Sequence, residues 1–372
     1  MPPSGAQRAR SGCPFDPGSA LPVASARPIA LDGPMLDLVE DFELGDFELQ
    51  SGVILKQARL AFAARGRLSA ARDNVVLFPT YYTGRHTDNL RLVAPGRALD
   101  PDRCFVVVPN LFGNGLSSSP SRHAAPEQRG PHFPSVSILD NVIAQRRLLE
   151  ERFGVEHVAL AMGWSMGALQ VYQHAASFPA RVERLLAIGG AARTSPHNGV
   201  FLEGAKAALL ADPDFACGHY TAPPRRGLAA FGKVYAGWAY SQAFFRDGLY
   251  RALGYASPAA LLTAWAEEHE AWDANDLLAM LHTWQGADIS DNSTYARDFP
   301  RALAAIEARA IVMPVSTDLY FPPEDSRREV AQMRRAELRI IDSLWGHVAA
   351  GPDRNALATA TIETAIADLL RR

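Results

Sequence analysis

The chain has 372 residues, 48% of them hydrophobic and 21% charged, which is enough apolar side chain for one large core or two smaller ones. Its formal net charge is −3 and its 37 lysines and arginines are scattered, so it carries no basic footprint for nucleic acid or an anionic membrane, and a small-molecule partner is favoured. No apolar run approaches the roughly 20 residues of a membrane-spanning helix and the start has no apolar signal region, which makes a cytoplasmic location the expectation.

Residues 1–35 are rich in Pro, Gly, Ser, Ala and Arg and have no period of 2 or 3.6, so they read as a disordered tail. Apolar and polar residues then alternate over 42–63 around Ser51-Gly52, the pattern of an antiparallel hairpin at a sheet edge. Short, continuous Val/Leu/Ile runs follow at 75–78, 105–108, 158–162, 185–188, 311–315 and 338–341, as suits strands buried on both faces of a parallel sheet. Helical stretches at 138–153, 168–178, 325–333 and 355–370 lie between or after them, giving an α/β, doubly wound class. Cys13, Cys104 and Cys217 are odd in number and far apart, which argues against a disulfide framework or zinc cluster, and Cys104 reads as core.

The alternation breaks between 188 and 311, where helix formers and aromatics crowd from 202 to 284, so an inserted helical lid over 196–295 is expected, with the core made of 36–195 and 296–372. Trp238, Phe244 and Phe245 fall in this interval with Trp265, Trp272 and Trp284; such a density suits either an apolar pocket or helix-to-helix packing.

Gly163-Trp164-Ser165-Met166-Gly167 is a Gly-x-Ser-x-Gly pentapeptide. By composition alone it would arise by accident in roughly one chain in eight, so its setting matters more than its letters. Here a predicted strand runs into it and a predicted helix leaves it, the strand-turn-helix arrangement that exposes a nucleophilic serine. A serine hydroxyl needs an imidazole to take its proton and a carboxylate to hold that imidazole, expected downstream in the order Ser, acid, His. Asp318 follows the strand at 311–315 and His347 follows the strand at 338–341, each in the loop where sites of open α/β sheets assemble. Asp342 competes for the acid role, while Glu324 and Asp325, beyond Pro322-Pro323, read as helix N-terminal acids. His86, His123, His132, His197 and His219 lie in loop-like text. The loop after the strand at 75–78 is where the second oxyanion donor belongs, so the N–H of Tyr82 (Tyr81 as fallback) and that of Met166 are the candidates, with Tyr81 and Trp164 close by in the pocket. No Gly-x-Gly-x-x-Gly, His-Glu-x-x-His or Cys/His ligand spacing is present, so neither metal nor cofactor is expected.

From about 36 to 370 the chain resembles the homoserine O-acetyltransferases and the esterases similar to them. The resemblance rests on Asp318-Leu319-Tyr320-Phe321-Pro322-Pro323, Asn110-Leu111-Phe112-Gly113, Gly346-His347, the 163–167 motif and stretches at 49–60, 96–102, 208–213 and 227–229. It implies an α/β-hydrolase core with a helical lid, acyl-CoA as co-substrate where the reaction is transfer, and a homodimer paired through the lid. Two departures bear on the acceptor. His347 is followed by Val348-Ala349-Ala350, where homoserine-acetylating members place an acid, and bulky Trp164 stands in place of their usual Gly. A buried substrate ammonium would then lack its partner, unless a lid acid such as Asp273 or Asp276 replaces it. The expected activity is hydrolysis of small acyl esters or related carbonyl compounds through an acyl-serine; acyl-CoA-dependent O-acyl transfer to an alcohol is the alternative. A non-catalytic binding module on this fold would have lost Ser, Asp or His, and all three are present.

Overall fold

The computed structural model describes residues 35–371, so all but the last residue of the predicted tail lies outside the described residues. Strands β1 (Leu36–Glu48) and β2 (Ile54–Gly66) form an antiparallel hairpin longer than its alternating text, with a turn closed by Gly52 N–H to Leu49 O at 2.8 Å. Next come β3 (Val75–Leu77), β4 (Phe105–Pro109), β5 (Leu160–Trp164), β6 (Arg184–Ile188), β7 (Arg309–Met313) and β8 (Ala336–Leu338). They join one eight-stranded sheet in the order β1-β2-β4-β3-β5-β6-β7-β8, antiparallel at the hairpin end and parallel from β4 onward.

Continuous apolar runs make these strands because both faces are covered. Val76, Val106, Leu160, Met162 and Ile311 feed one core, and their strand neighbours Val75, Leu77, Val107, Ala161 and Val312 feed the other. Among the described residues eight α-helices, α1 to α8, reach eight residues or more. Helix α1 (Ile138–Arg147) opens on a capping box between Ser137 and Asp140 and continues as a wider π turn over Leu148–Arg152. Helix α2 (Met166–Ser177) leaves β5. Between β6 and β7 lie α3 (Pro196–Leu210), α4 (Arg225–Ala239), α5 (Pro258–Glu270) and α6 (Ala274–Gln285), and no strand of the sheet falls in this interval. The insertion is helical, and Phe201, Leu228 and Trp284 from it share one continuous core with the sheet. Helices α7 (Pro323–Val330) and α8 (Ala356–Leu370) follow β7 and β8.

Strand limits differ from the apolar runs by about two residues. Val158, Val315 and Ile341 make only isolated bridges beyond the ladders, because apolar text reports burial and not hydrogen bonding. Helix α7 begins two residues earlier than its periodic text, at Pro323, where a fixed φ suits a first turn. Among the described residues no helix is long and apolar enough to cross a membrane.

Candidate active site

Ser165 is the single residue between β5 and α2, held at φ +56°, ψ −125°, a region that L side chains rarely occupy. Its N–H donates to Ile188 O of the neighbouring strand at 2.9 Å. The motif glycines follow from the crowding of this turn. A Cβ on Gly163 would fall 2.2 Å from the Gly167 carbonyl, and one on Gly167 would fall 2.7 Å from Pro79 O. The turn therefore presses β5, α2 and the loop after β3 together, and the hydroxyl stands at the carboxyl end of the sheet.

The structure brings the three predicted residues into one chain of hydrogen bonds. His347 Nε2 lies 3.0 Å from Ser165 Oγ, and its Nδ1 lies 2.7 Å from Asp318 Oδ2. All three are buried. With Asp318 as carboxylate, Nδ1 carries the proton and Nε2 presents its lone pair to the serine. Asp318 Oδ1 accepts the N–H groups of Tyr320 (2.8 Å) and Phe321 (3.1 Å), so the loop before Pro322-Pro323 orients the carboxylate. Thr317 Oγ1 accepts Gly346 N–H at 3.1 Å and donates to Ser343 O at 2.7 Å, tying the Asp318 loop to the His347 loop. Asp342 accepts from Ser316 Oγ instead, while Glu324 and Asp325 lie in the first turn of α7.

The loop bearing Tyr82 packs on the start of α2. Gln170 Nε2 donates to Thr80 O at 2.7 Å, and Asn89 Nδ2 donates to Phe78 O and Pro79 O. Met166, first residue of α2, has an amide without an intrahelical acceptor, and no protein acceptor among the described residues meets the Tyr82 N–H.

Over Ser165 and His347 lies a cavity of about 330 Å³. Tyr81, Tyr82 and Trp164 wall it from the core; Tyr235, Trp265 and His269 wall it from the lid. The Trp164 ring stacks on His347 at 4.9 Å between centroids and 22° between planes, and Tyr81 meets Trp164 edge-on at 4.3 Å. Burial pushes the phenols of Tyr81, Tyr82 and Tyr235 above their ordinary pKa, so they remain neutral.

Three lid aromatics expected in this pocket do not line it. Trp238 packs against Phe201 and His197, both at 5.0 Å, on the flank of α3. Phe244 is fully buried and stacks on Tyr240 at 4.3 Å, while Phe245 meets both rings edge-on. These rings hold helix to helix; Tyr235, on the same helix α4 as Trp238, and Trp265 of α5 reach the cavity instead. The lid acids are elsewhere too: Asp273 caps α6, and Asp276 accepts the Ser121 N–H at 2.9 Å. The charged groups at the cavity are Glu268 and Arg354, both exposed, and Val348 lies in the wall beside His347. Sequence reasoning missed Tyr235, Glu268 and His269, which lie on lid helices where a helical period does not say which face meets the cavity, and Tyr320 and Arg354, which lie in loops with no periodic signal. Among the described residues no group of three or more His, Cys, Asp or Glu could hold a metal ion.

Residues 75–350 match the family described as alpha/beta hydrolase fold. An ethyl acetate hydrolase of Pseudomonas veronii is 37% identical over 313 residues, covering 83% of this chain and 89% of its own. The structure of an acetylester hydrolase from Corynebacterium glutamicum superposes with a TM-score of 0.86 at 32% identity, over 90% of this chain and 96% of that one. A homoserine O-acetyltransferase of Symbiobacterium thermophilum is 32% identical over 80% of this chain and 86% of its own. The chain belongs to the alpha/beta hydrolase fold family. It is an enzyme of that family, with esterases and homoserine acyltransferases among its relatives.

Proposed function

We propose that the protein hydrolyses small, uncharged acyl esters through an acyl-Ser165 intermediate. His347 Nε2 takes the Ser165 proton as Oγ adds to the ester carbonyl. The resulting oxyanion accepts the N–H groups of Tyr82 and Met166, and Asp318 holds the imidazolium in place. His347 then gives the proton to the departing alkoxide, which leaves as the alcohol. Water, deprotonated by the same ring, adds to the acyl-serine, and the intermediate collapses to the acid as Ser165 Oγ leaves and takes the proton back from His347. The observation that carries this reading is the hydrogen-bonded chain from Ser165 through His347 to Asp318 at the floor of a largely aromatic cavity. Neither metal nor cofactor enters it. The test is a panel of alkyl and p-nitrophenyl acetates with wild type and Ser165→Ala, together with mass measurement of quenched protein. Hydrolysis by the wild type and one added acyl group on Ser165 are expected; turnover retained by Ser165→Ala would refute the reading.

The second reading, acyl-CoA-dependent O-acyl transfer to an alcohol, is favoured by relatives named homoserine acyltransferases. Against homoserine itself stands Val348, which offers a substrate ammonium no charge beside His347, while Glu268, the carboxylate at the cavity, is exposed; loss of a buried partner typically costs several kcal/mol. Homoserine with acetyl-CoA is expected to give little product. Acetylation within tenfold of the best ester hydrolysis would reverse the order of the two readings. We extend the proposal to a cytoplasmic enzyme that dimerises through its lid, where Val200 and Leu210 are exposed on α3. Light scattering should give a dimer mass for the wild type and a monomer mass for Val200→Glu with Leu210→Glu; a wild-type monomer would contradict it.

A further inference from the structure

Trp164, the last residue of β5, is only 8% exposed, and its indole is wedged between several parts of the site. Two glycines leave room for its ends. A Cβ on Gly189, just past β6, would fall 3.3 Å from Nε1, and one on Gly351, in the loop after His347, would fall 3.1 Å from Cη2. Tyr81 meets the ring edge-on at 4.3 Å, and the imidazole of His347 lies against its face. Among the described residues three aromatic rings pack on that imidazole. Tyr320 and Phe321, from the loop that carries Asp318, meet it at 72° and 41° between planes, and Trp164 alone lies nearly parallel to it, at 22°.

In the resting site two hydrogen bonds also hold the imidazole, Nδ1 with Asp318 and Nε2 with Ser165. Acylation removes the second. Once Oγ is an ester oxygen it has no proton to give, and Nε2 of the neutral ring only accepts. The ring is then hinged on the Asp318 bond, yet it must stay over the acyl carbon to take a proton from water, and a displacement of about 1 Å at such a point costs up to about 100-fold in rate. Resting on the ester-hydrolase reading above, we propose that Trp164 is a positioning residue for deacylation, its indole face keeping His347 in place while the serine bond is absent. In that step a water proton passes to Nε2 as the water oxygen bonds the acyl carbon; the bond from that carbon to Oγ breaks, and Oγ recovers the proton. Acylation depends on the indole less, because the serine bond itself aligns the ring. A stacked aromatic pair is worth a factor of about two to ten.

The test follows both half-reactions of p-nitrophenyl acetate: acylation as p-nitrophenol release with enzyme in excess, deacylation as loss of the acetyl mass from protein quenched at intervals. Wild type is compared with Trp164→Leu, which fills the space without a flat face, and Trp164→Phe, which keeps one. The ratio of the acylation to the deacylation rate constant is taken within each variant, so a partly unfolded sample still reports it. That ratio should be at least threefold higher in Trp164→Leu than in wild type, and Trp164→Phe should reverse at least half of the rise. A smaller rise, a fall, as expected if the indole served only to keep water out, or a rise that Trp164→Phe does not halve would each overturn the inference. If the wild type forms no acyl-Ser165, the hydrolase reading fails on its own. Crystal structures of Ser165→Gly with and without Trp164→Leu then decide the role of the indole, since this substitution also removes the serine bond. An imidazole that keeps its Asp318 bond and its place in the single variant and is displaced in the double variant upholds it; any other outcome overturns it.

Discussion

Ser165, His347 and Asp318 divide one proton-transfer task among three residues, and each substitution should fail in its own way. Ser165→Ala removes the nucleophile and leaves its packing almost untouched, so turnover of p-nitrophenyl acetate should fall by about four to six powers of ten with the thermal midpoint nearly unchanged. A fluorophosphonate probe that still labels this variant at another serine would show the nucleophile to be misassigned. Asp318→Asn replaces a carboxylate that accepts the hydrogen bond of His347 Nδ1–H, and the amide favours the wrong tautomer; a loss of about four powers of ten in kcat is expected. Asp342→Asn should change kcat less than threefold, since Asp342 bonds Ser316 and not the imidazole. The reverse ranking in steady-state kinetics would move the acid to Asp342.

At the scale of elements, the turn between β5 and α2 is the part least tolerant of added atoms. Gly167→Ala sets a methyl against the Pro79 carbonyl, a backbone atom fixed by Asn89. Relief requires moving the loop that holds Tyr82. Overpacking of this kind costs about 1–3 kcal/mol, so calorimetry should show a midpoint lowered by several degrees, and kcat should fall further than the folded fraction explains. An unchanged midpoint would mean that the loop gives way freely. This turn was also what the sequence spelled most clearly, because its glycines, its serine and the two flanking periodicities are local and depend on no distant partner. Asp318 and His347 were legible for a related reason: each follows an apolar strand in the required order. The cavity wall was not. Whether Trp238 or Tyr235, three residues apart on α4, turns to the cavity or to α3 depends on how the four lid helices pack, and both carry the same aromatic, helical text. The strand ends were misjudged by about two residues for the physical reason that burial extends beyond pairing.

Over the whole molecule, three buried titratable groups away from the catalytic chain shape stability against pH. Desolvation, then Asp273, raises Asp276 from 3.8 to about 7, and burial raises Glu329 from 4.5 to about 8. The folded protein thus holds protons that the unfolded chain has released, so the stability these acids contribute is full below about pH 4 and is lost as pH rises through 7 and 8. Burial lowers His174 from 6.5 to about 3, which acts oppositely: its contribution is full above pH 6.5 and is lost as pH falls toward 3. Urea denaturation at pH 5, 6.5 and 8 should therefore show Asp276→Asn combined with Glu329→Gln gaining on the wild type at each step upward. A wild-type-to-variant difference that stays constant across the three values would show that neither acid is protonated in the native state.

The separation of 182 positions from Ser165 to His347, with the four helices α3 to α6 inside it, also has a meaning in time. A chain lengthening by about 5–20 residues each second has its serine in place roughly 10–40 s before its histidine exists. During that interval the β5 turn presents an ordinary alcohol with no base beside it. Chemical competence arrives only with His347, so a chain released before that residue is made is inert toward the esters around it.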